Sequence, residues 1–248
     1  MPNLYGLIGF PLSHSFSKGY FSEKFEREHI KDCRYETFEL KTIEELPALI
    51  KAQTELKGLN VTIPYKQQVI PYLSKLDESA QKVGAVNVIK VGDQNTLIGY
   101  NSDYYGFKES LMEWIGKAND LSALVLGSGG ASRAVCATLE DLGIAYQVVS
   151  RSNGQGRMSY QDVKDNPNLI DSHKLIINTT PLGMSPETDT YPDLNYSLLT
   201  NGHFLYDIVY NPEETVFLNK GALQGAYIKN GLEMLHLQAE KSWEIWNK

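Results

Sequence analysis

The chain has 248 residues, enough for one large domain or two moderate ones with a sizeable hydrophobic core. With 42% hydrophobic and 21% charged residues it is neither disordered nor fibrous in composition, and a formal charge of −7 argues against a nucleic-acid partner, which would call for a basic stripe. Cys33 and Cys136 lie far apart with no CxxC or Cys/His spacing, so neither a disulfide framework nor a metal site is expected; with no apolar run of membrane-spanning length and no signal-like N-terminus, the expected setting is the cytoplasm.

Taken in chain order, apolar runs of strand length alternate with helix-like stretches. Strands are predicted over 4–10 ("LYGLIGF"), 35–40, 59–63 ("LNVTI") and 85–91 ("AVNVIKV"), with helices over 15–30, 43–54 and 67–82. A helix over 104–117 follows "GYNSDYYG", and the polar stretch "GKANDLS" then precedes a fresh series. That series has strands over 122–128, 145–151, 174–180 and 204–210, with helices over 130–142 and 231–246. Such alternation predicts an α/β protein with mostly parallel sheets; the glycine-rich stretch at 123–152 and the polar clusters before residue 104 then divide it into an N-terminal α/β substrate domain and a Rossmann-like dinucleotide-binding domain, with the C-terminal helix free to pack back on the first. The expected division is 1–103 with 231–248, and 104–230.

The stretch "ALVLGSGGASRAVCATLEDLGIAYQVVSRS" (123–152) reads as strand, glycine-rich turn, helix and second strand. Gly127 and Gly129 allow a tight turn and close approach of the backbone to a pyrophosphate, which the amides of the following helix would face. Ser132 stands in the third glycine slot. At the end of the second strand an NAD site usually carries an acid that accepts from the ribose hydroxyls; here Ser150, Arg151 and Ser152 stand instead, so the expected cofactor is NADP, with Arg157 near enough in sequence to join.

Polar clusters in the N-terminal part fall at the ends of apolar runs: Ser15 and Ser17 in "GFPLSHSFS", Asn60, Thr62 and Lys66 in "NVTIPYK", Asn87 in "GAVNV", Asn101 and Asp103 in "YNSD". Ligands of α/β sheets bind outside the carboxyl ends of strands, so these clusters predict one convergent site for a small molecule. Lys66 and Asp103 make sense as a proton-transfer pair at an alcohol or carbonyl oxygen. His14 reads as a packed or solvated loop side chain. His29, His173, His203 and His236 have no metal-ligand spacing, and Trp243 and Trp246 read as packing.

The ordered set "SHSFS", "NVTIPYK", "GAVNV", "NSD", "GSGGASRAV", "INTTPLGM", "YDIVYNPEET" and "GLEMLHLQAEKSWEIW" resembles the shikimate dehydrogenase family over nearly the full length. The resemblance implies NADP-dependent interconversion of 3-dehydroshikimate and shikimate in aromatic amino-acid (chorismate) biosynthesis. It implies Lys66 as catalytic lysine with Asp103 as partner, Ser15 and Ser17 on the substrate carboxylate, and Thr62, Asn87, Asp103, Tyr210 and Gln238 around the substrate. For the cofactor it implies Gly127, Ser128, Gly129, Gly130 and Ala131 on the pyrophosphate and Ser150, Arg151 and Ser152 on the adenosine phosphate. Thr180, Ile208 and Gly231 fall near the nicotinamide, with Glu78 a further contact. Departures from the family pattern are Lys18 in place of a proline, the displaced second arginine of "SRSNGQGR", and Glu240 where a small residue is usual; Glu240 must find a partner or face water. Three other readings stay open: a quinate/shikimate dehydrogenase using NAD or NADP, a non-catalytic nucleotide-binding regulator, and a one-carbon folate dehydrogenase. Monomer and homodimer are both open.

Overall fold

A computed structural model describes residues 2–12, 16–116, 118, 120–154 and 156–248, Asn95 by its backbone alone. The chain divides into two compact units, one of Met1–Ser102 with Gln238–Lys248 and one of Asp103–Leu237.

The first unit is built on β1 (Asn3–Gly9), β2 (Cys33–Glu39), β3 (Leu56–Val61), β4 (Lys75–Leu76), β5 (Val88–Val91) and β6 (Leu97–Tyr100), in the spatial order β2-β1-β3-β5-β6-β4. β1, β2 and β3 run parallel, with helices Phe16–Arg27 and Leu46–Ala52 in the crossovers. The sequence of β1 shows why the sheet is covered on both faces. Leu4 and Ile8 point into a cluster with Leu46, Leu59 and Ile89, while Tyr5 and Leu7 point into another with Phe21, Phe25 and Trp246. The second cluster is completed by the closing helix Leu232–Asn247, whose Ala239, Ile245 and Trp246 are buried in it. Trp243 and Trp246 both lie against the Tyr5 ring, as packing.

Two local expectations are corrected. No single helix spans 67–82: the chain makes a short helix Tyr65–Gln68, a 3₁₀ turn Ile70–Tyr72, the two-residue β4, and a helix Glu78–Val83. Pro71 falls inside that stretch, where it can donate no helical hydrogen bond, and Asp77 starts a new helix by accepting from the Ser79 amide at 3.0 Å. The strand expected over 85–91 starts only at Val88, and β6 was not foreseen.

The second unit holds β7 (Ser122–Leu126), β8 (Ala145–Ser150), β9 (Arg157–Ser159), β10 (Leu175–Asn178), β11 (Phe204–Asp207) and β12 (Tyr227–Lys229). All are parallel, in the order β12-β11-β10-β7-β8-β9. This is the Rossmann arrangement, with the strand order reversing between β7 and β10. Its central strands are continuously apolar because alternate residues serve two cores: Ala123, Val125, Leu175 and Ile177 on one face, Leu124, Leu126, Ile176 and Leu205 on the other. The link from β8 to β9 is only residues 151–156 and carries no helix among its described residues, although parallel neighbours normally need a crossover of a dozen residues or more.

Candidate active site: two polar strand edges

In the first unit, β5 runs antiparallel to β3 and β6 antiparallel to β5. The start of β5 therefore lies at the same edge as the ends of β1, β3 and β6, which brings Asn87 to the edge where Thr62 and Asn101 emerge. The expectation that each cluster follows a strand end is corrected for Asn87, which precedes its strand; the reversed strand direction achieves the convergence. Backbone bonds fix this edge: Thr62 N–H donates to the Ile8 carbonyl at 2.9 Å, Val61 N–H to Asn87 at 2.9 Å, and Val86 N–H to the Lys66 carbonyl at 2.7 Å.

Behind the edge lies a buried polar chain. Tyr35 hydroxyl donates to Asn60 Oδ1 at 2.8 Å, and Asn60 Nδ2 donates to Ser242 Oγ at 3.0 Å. Asn87 is held twice by Ser102, its Nδ2 donating to Ser102 Oγ at 3.0 Å and its Oδ1 accepting from Ser102 N–H at 2.6 Å. Ser102 Oγ in turn reaches Gln238 Oε1 at 3.3 Å and lies 3.2 Å from Ser242 Oγ. Asn60, Asn87, Ser102 and Ser242 are all buried, so the cost of enclosing them is met by mutual hydrogen bonds. The chain locks the side-chain direction of Asn87 and ties it to Gln238. Ser102 and Ser242 were missed in the sequence, because two serines so far apart carry no shared pattern.

Lys66 sits half-buried on the short helix that follows β3, and Ser17 is the second residue of helix Phe16–Arg27. Ser15 and His14 lie outside the described residues. Asp103, in the first turn of helix Ser102–Ile115, and the exposed Tyr210 beyond β11 belong to the second unit. Glu78 is an exposed first-turn residue of its helix in the first unit and pairs with Lys82 at 3.2 Å. Lys18 reaches Glu36 at 2.9 Å. Glu240 has found partners: Tyr20 hydroxyl donates to it, and so does Lys24 at 2.7 Å, with Glu28 holding the same ammonium at 2.9 Å. Burial of Lys24 pulls its pKa down, but the bonds to Glu240 and Glu28 outweigh that and leave it above the usual lysine value.

In the second unit a cavity of about 410 Å³ opens at the carboxyl edge of the sheet, where the strand order reverses. It is lined by Gly127, Ser128, Gly129, Ser150 and Arg151 on one side and by Thr179, Thr180, Pro181 and Leu182 on another. Gly130 and Ala131 open the helix Gly130–Asp141, which Gly129 precedes without a side-chain cap, leaving its first amides directed at that edge. Ser132 closes the turn by donating to the Gly129 carbonyl at 2.7 Å. Such a cradle of unshielded amides suits a pyrophosphate.

Arg151 and Ser152 are exposed, and the Ser150 hydroxyl donates to the Ser152 carbonyl at 2.7 Å. Arg157 pairs with Val148, two residues short of the β8 end, and its Nε donates to the Gly154 carbonyl at 3.2 Å. Arg151 therefore projects from the edge itself while Arg157 starts below it. Ile208 follows β11, its N–H bonded to the Asn178 carbonyl at 3.0 Å, and the buried Gly231 donates to the Val209 carbonyl at 3.1 Å. Tyr160 also lines the cavity; sequence reasoning missed it because β9, three residues long, leaves no recognisable run before it. Burial pushes the Tyr160 phenol up to about 12, with Asp193 adding to the shift. Among the described residues no cluster of three His, Cys, Asp or Glu could hold a metal, and no helix is long and apolar enough to cross a membrane.

Comparison with known proteins agrees with both halves of this picture. The substrate-binding domain of shikimate dehydrogenases matches residues 7–89. An NADP(+) shikimate dehydrogenase of Clostridium beijerinckii is 41% identical, covering 98% of this chain and 92% of the relative. Among solved structures, shikimate 5-dehydrogenase of Thermus thermophilus in complex with NADP(H) and shikimate superposes with a TM-score of 0.82 at 27% identity, over 98% of this chain and 93% of that one. Quinate dehydrogenase of Corynebacterium glutamicum in complex with NAD gives 0.86 at 27% identity, over 99% and 93%. Similarity of this extent, with a buried polar edge in one unit and a glycine-loop cavity in the other, places the chain in the shikimate dehydrogenase family.

Proposed function

We propose that this protein catalyses the NADP-dependent, reversible reduction of 3-dehydroshikimate to shikimate. The observation that carries the reading is the glycine-loop cavity, which fits the cofactor: a Cβ at Gly127 would collide with Thr179 and Thr180, so only glycine lets the loop lie this close to the opposite wall, and Arg151 stands where NAD enzymes place an acid. Gly127–Ala131 would hold the pyrophosphate, Ser150–Ser152 the adenosine phosphate, and Thr180, Ile208 and Gly231 the nicotinamide half. The bound nicotinamide supplies or accepts the hydride. On the substrate side Ser15 and Ser17 bind the carboxylate, while Thr62, Asn87, Tyr210 and Gln238 orient the hydroxyls. Asn87 and Gln238 suit that task because the Ser102 network fixes them before substrate arrives, so little ordering cost remains at binding.

In the direction of reduction the substrate oxygen gains negative charge. The Lys66 ammonium stabilises that charge and then donates its proton to the oxygen; in the reverse direction the lysine takes it back. Asp103 is assigned as the carboxylate that orients Lys66. This pairing rests on the family resemblance, as do the roles of Ser15 and Glu78.

The test is an absorbance assay at the reduced-nicotinamide band, with shikimate and quinate crossed against NADP and NAD. Turnover confined to shikimate with NADP supports the proposal. Faster turnover of quinate with NAD would instead establish the quinate reading, which the family structure with NAD favours. Lys66→Ala should lower kcat by about 10²–10⁴-fold and leave NADP affinity within twofold. Unchanged turnover would remove Lys66 from the mechanism.

A further inference from the structure

Beneath the Thr180–Leu182 wall of the nucleotide cavity lies a second buried polar network, made by the carboxyl ends of β10 and β11. Asp207, fully buried, accepts three hydrogen bonds: from Asn178 Nδ2 at 3.0 Å, from Val209 N–H at 3.0 Å and from Thr215 hydroxyl at 2.6 Å. Asn178, equally buried, uses the other end of its amide on the cavity wall. Its Oδ1 accepts from Thr180 N–H at 3.1 Å and Thr180 hydroxyl at 2.6 Å, while its Nδ2 also approaches the Leu182 carbonyl at 3.4 Å. The Thr180 hydroxyl is additionally the acceptor for Leu182 N–H at 3.3 Å.

An amide side chain has one donor end and one acceptor end, and only its surroundings decide which way it faces. The carboxylate of Asp207 can only accept, so it draws the Asn178 nitrogen inward and leaves the oxygen for Thr180. We infer that Asp207 is a positioning residue for the cofactor: acting through Asn178, it holds the Thr180 turn in the conformation that walls the nucleotide cavity. The inference rests on the proposed use of that cavity for NADP. Asp207 does not line the cavity, and its part in binding is wholly indirect.

Replacing Asp207 by alanine removes the acceptor altogether, whereas an asparagine, its Oδ1 held by Val209 N–H, could still accept from Asn178 Nδ2. With alanine the Asn178 amide loses its fixed direction, and Thr180 loses both bonds whenever the amide turns. Titration calorimetry with NADP alone, in the absence of substrate, reads this without any contribution from turnover. Asp207→Ala should weaken NADP binding by about fivefold or more. Asn178→Ala, which removes the intermediary, should weaken it similarly, and the double variant should lose no more than the worse single one. The KM for shikimate should stay within twofold in all three, as a general loss of structure would not allow. Additive losses in the double variant, or wild-type affinity in Asp207→Ala, would overturn the inference. Should Asp207→Ala not fold, Asn178→Ala decides alone, and unchanged NADP affinity in it counts against the proposal. A wild-type protein that binds no NADP would overturn the cofactor reading together with this one.

Discussion

At Gly127 the backbone lies at φ +112°, a region L side chains rarely adopt, and a Cβ there would sit 2.6 Å from Thr179 Oγ1. That hydroxyl cannot yield freely, because it donates to the Leu126 carbonyl at 2.7 Å. Gly127→Ala is therefore strained twice over and should cost about 1–3 kcal/mol in urea unfolding. It should also weaken NADP binding by at least tenfold, since the loop proposed to hold the pyrophosphate is displaced. A variant with wild-type stability and affinity would show that the loop has more freedom than its geometry implies. Glu240 is the opposite case, a residue whose presence looks anomalous until its neighbours are seen. It shares with Glu28 the charge of Lys24, which is 4% exposed. Because the Glu240 side chain itself is 44% exposed, solvent screens much of its effect, and Glu240→Ala should cost only about 1 kcal/mol, read by the same unfolding assay.

Among the elements, the closing helix has the largest structural task in the first unit. Trp246 lies over Gly58 of β3, where any side chain would meet the indole at 2.2 Å, and its Nε1 donates to the Ile89 carbonyl at 3.0 Å. Its ring stacks on Tyr5 at 5.0 Å and lies 5.3 Å from Phe21. Trp246→Ala would open a cavity between helix and sheet and should cost about 3–5 kcal/mol, seen as an earlier urea midpoint. The elements also show which parts of the fold were legible in the sequence. β1, β7, β10 and β11 were readable because burial on two faces makes a near-continuous apolar run, while β3 and β8, interrupted by Lys57 and Asn60 and by Gln147, were read from shorter apolar stretches. β9 and β12, three residues each at the sheet edge, have no such run, and the expected helix over 67–82 failed because apolar spacing outlasted the break at Pro71. Strand direction left no trace in composition, so the antiparallel β5 that brings Asn87 to the site could only be seen in the fold. Residue types at the site were legible as motifs, but not the bonds that fix them: Asn60 reaches Ser242 across 182 positions, and Asp207 acts through a neighbour on another strand.

For the molecule as a whole, Asp207 links the architecture of the cofactor cavity to the pH dependence of stability. Burial raises its pKa from 3.8 to about 6, against the opposing pull of the bonds from Thr215, Val209 and Asn178. A carboxyl whose pKa is higher in the folded state binds its proton more tightly there, so its contribution is fully favourable below the unfolded value. That contribution is lost as pH rises through the folded value. Between pH 3.8 and 6 the native state must give up a proton that the unfolded chain has already released, which costs about 3 kcal/mol in all by the linkage relation. Exposed carboxylates work in the other sense at lower pH: Glu28, held by one lysine and one arginine, and Glu244, held by two lysines, have lowered pKa values and lose their contribution only in acid. The two effects separate in Asp207→Asn, which retains the surface pairs but cannot ionise at the buried site. Urea unfolding followed by circular dichroism at pH 4 and pH 7.5 should find the variant gaining on the wild type by up to about 3 kcal/mol at the higher pH. A gap that stays constant across that range would mean that Asp207 titrates at the same pH in the folded and unfolded chain, and that its three hydrogen bonds offset its burial completely.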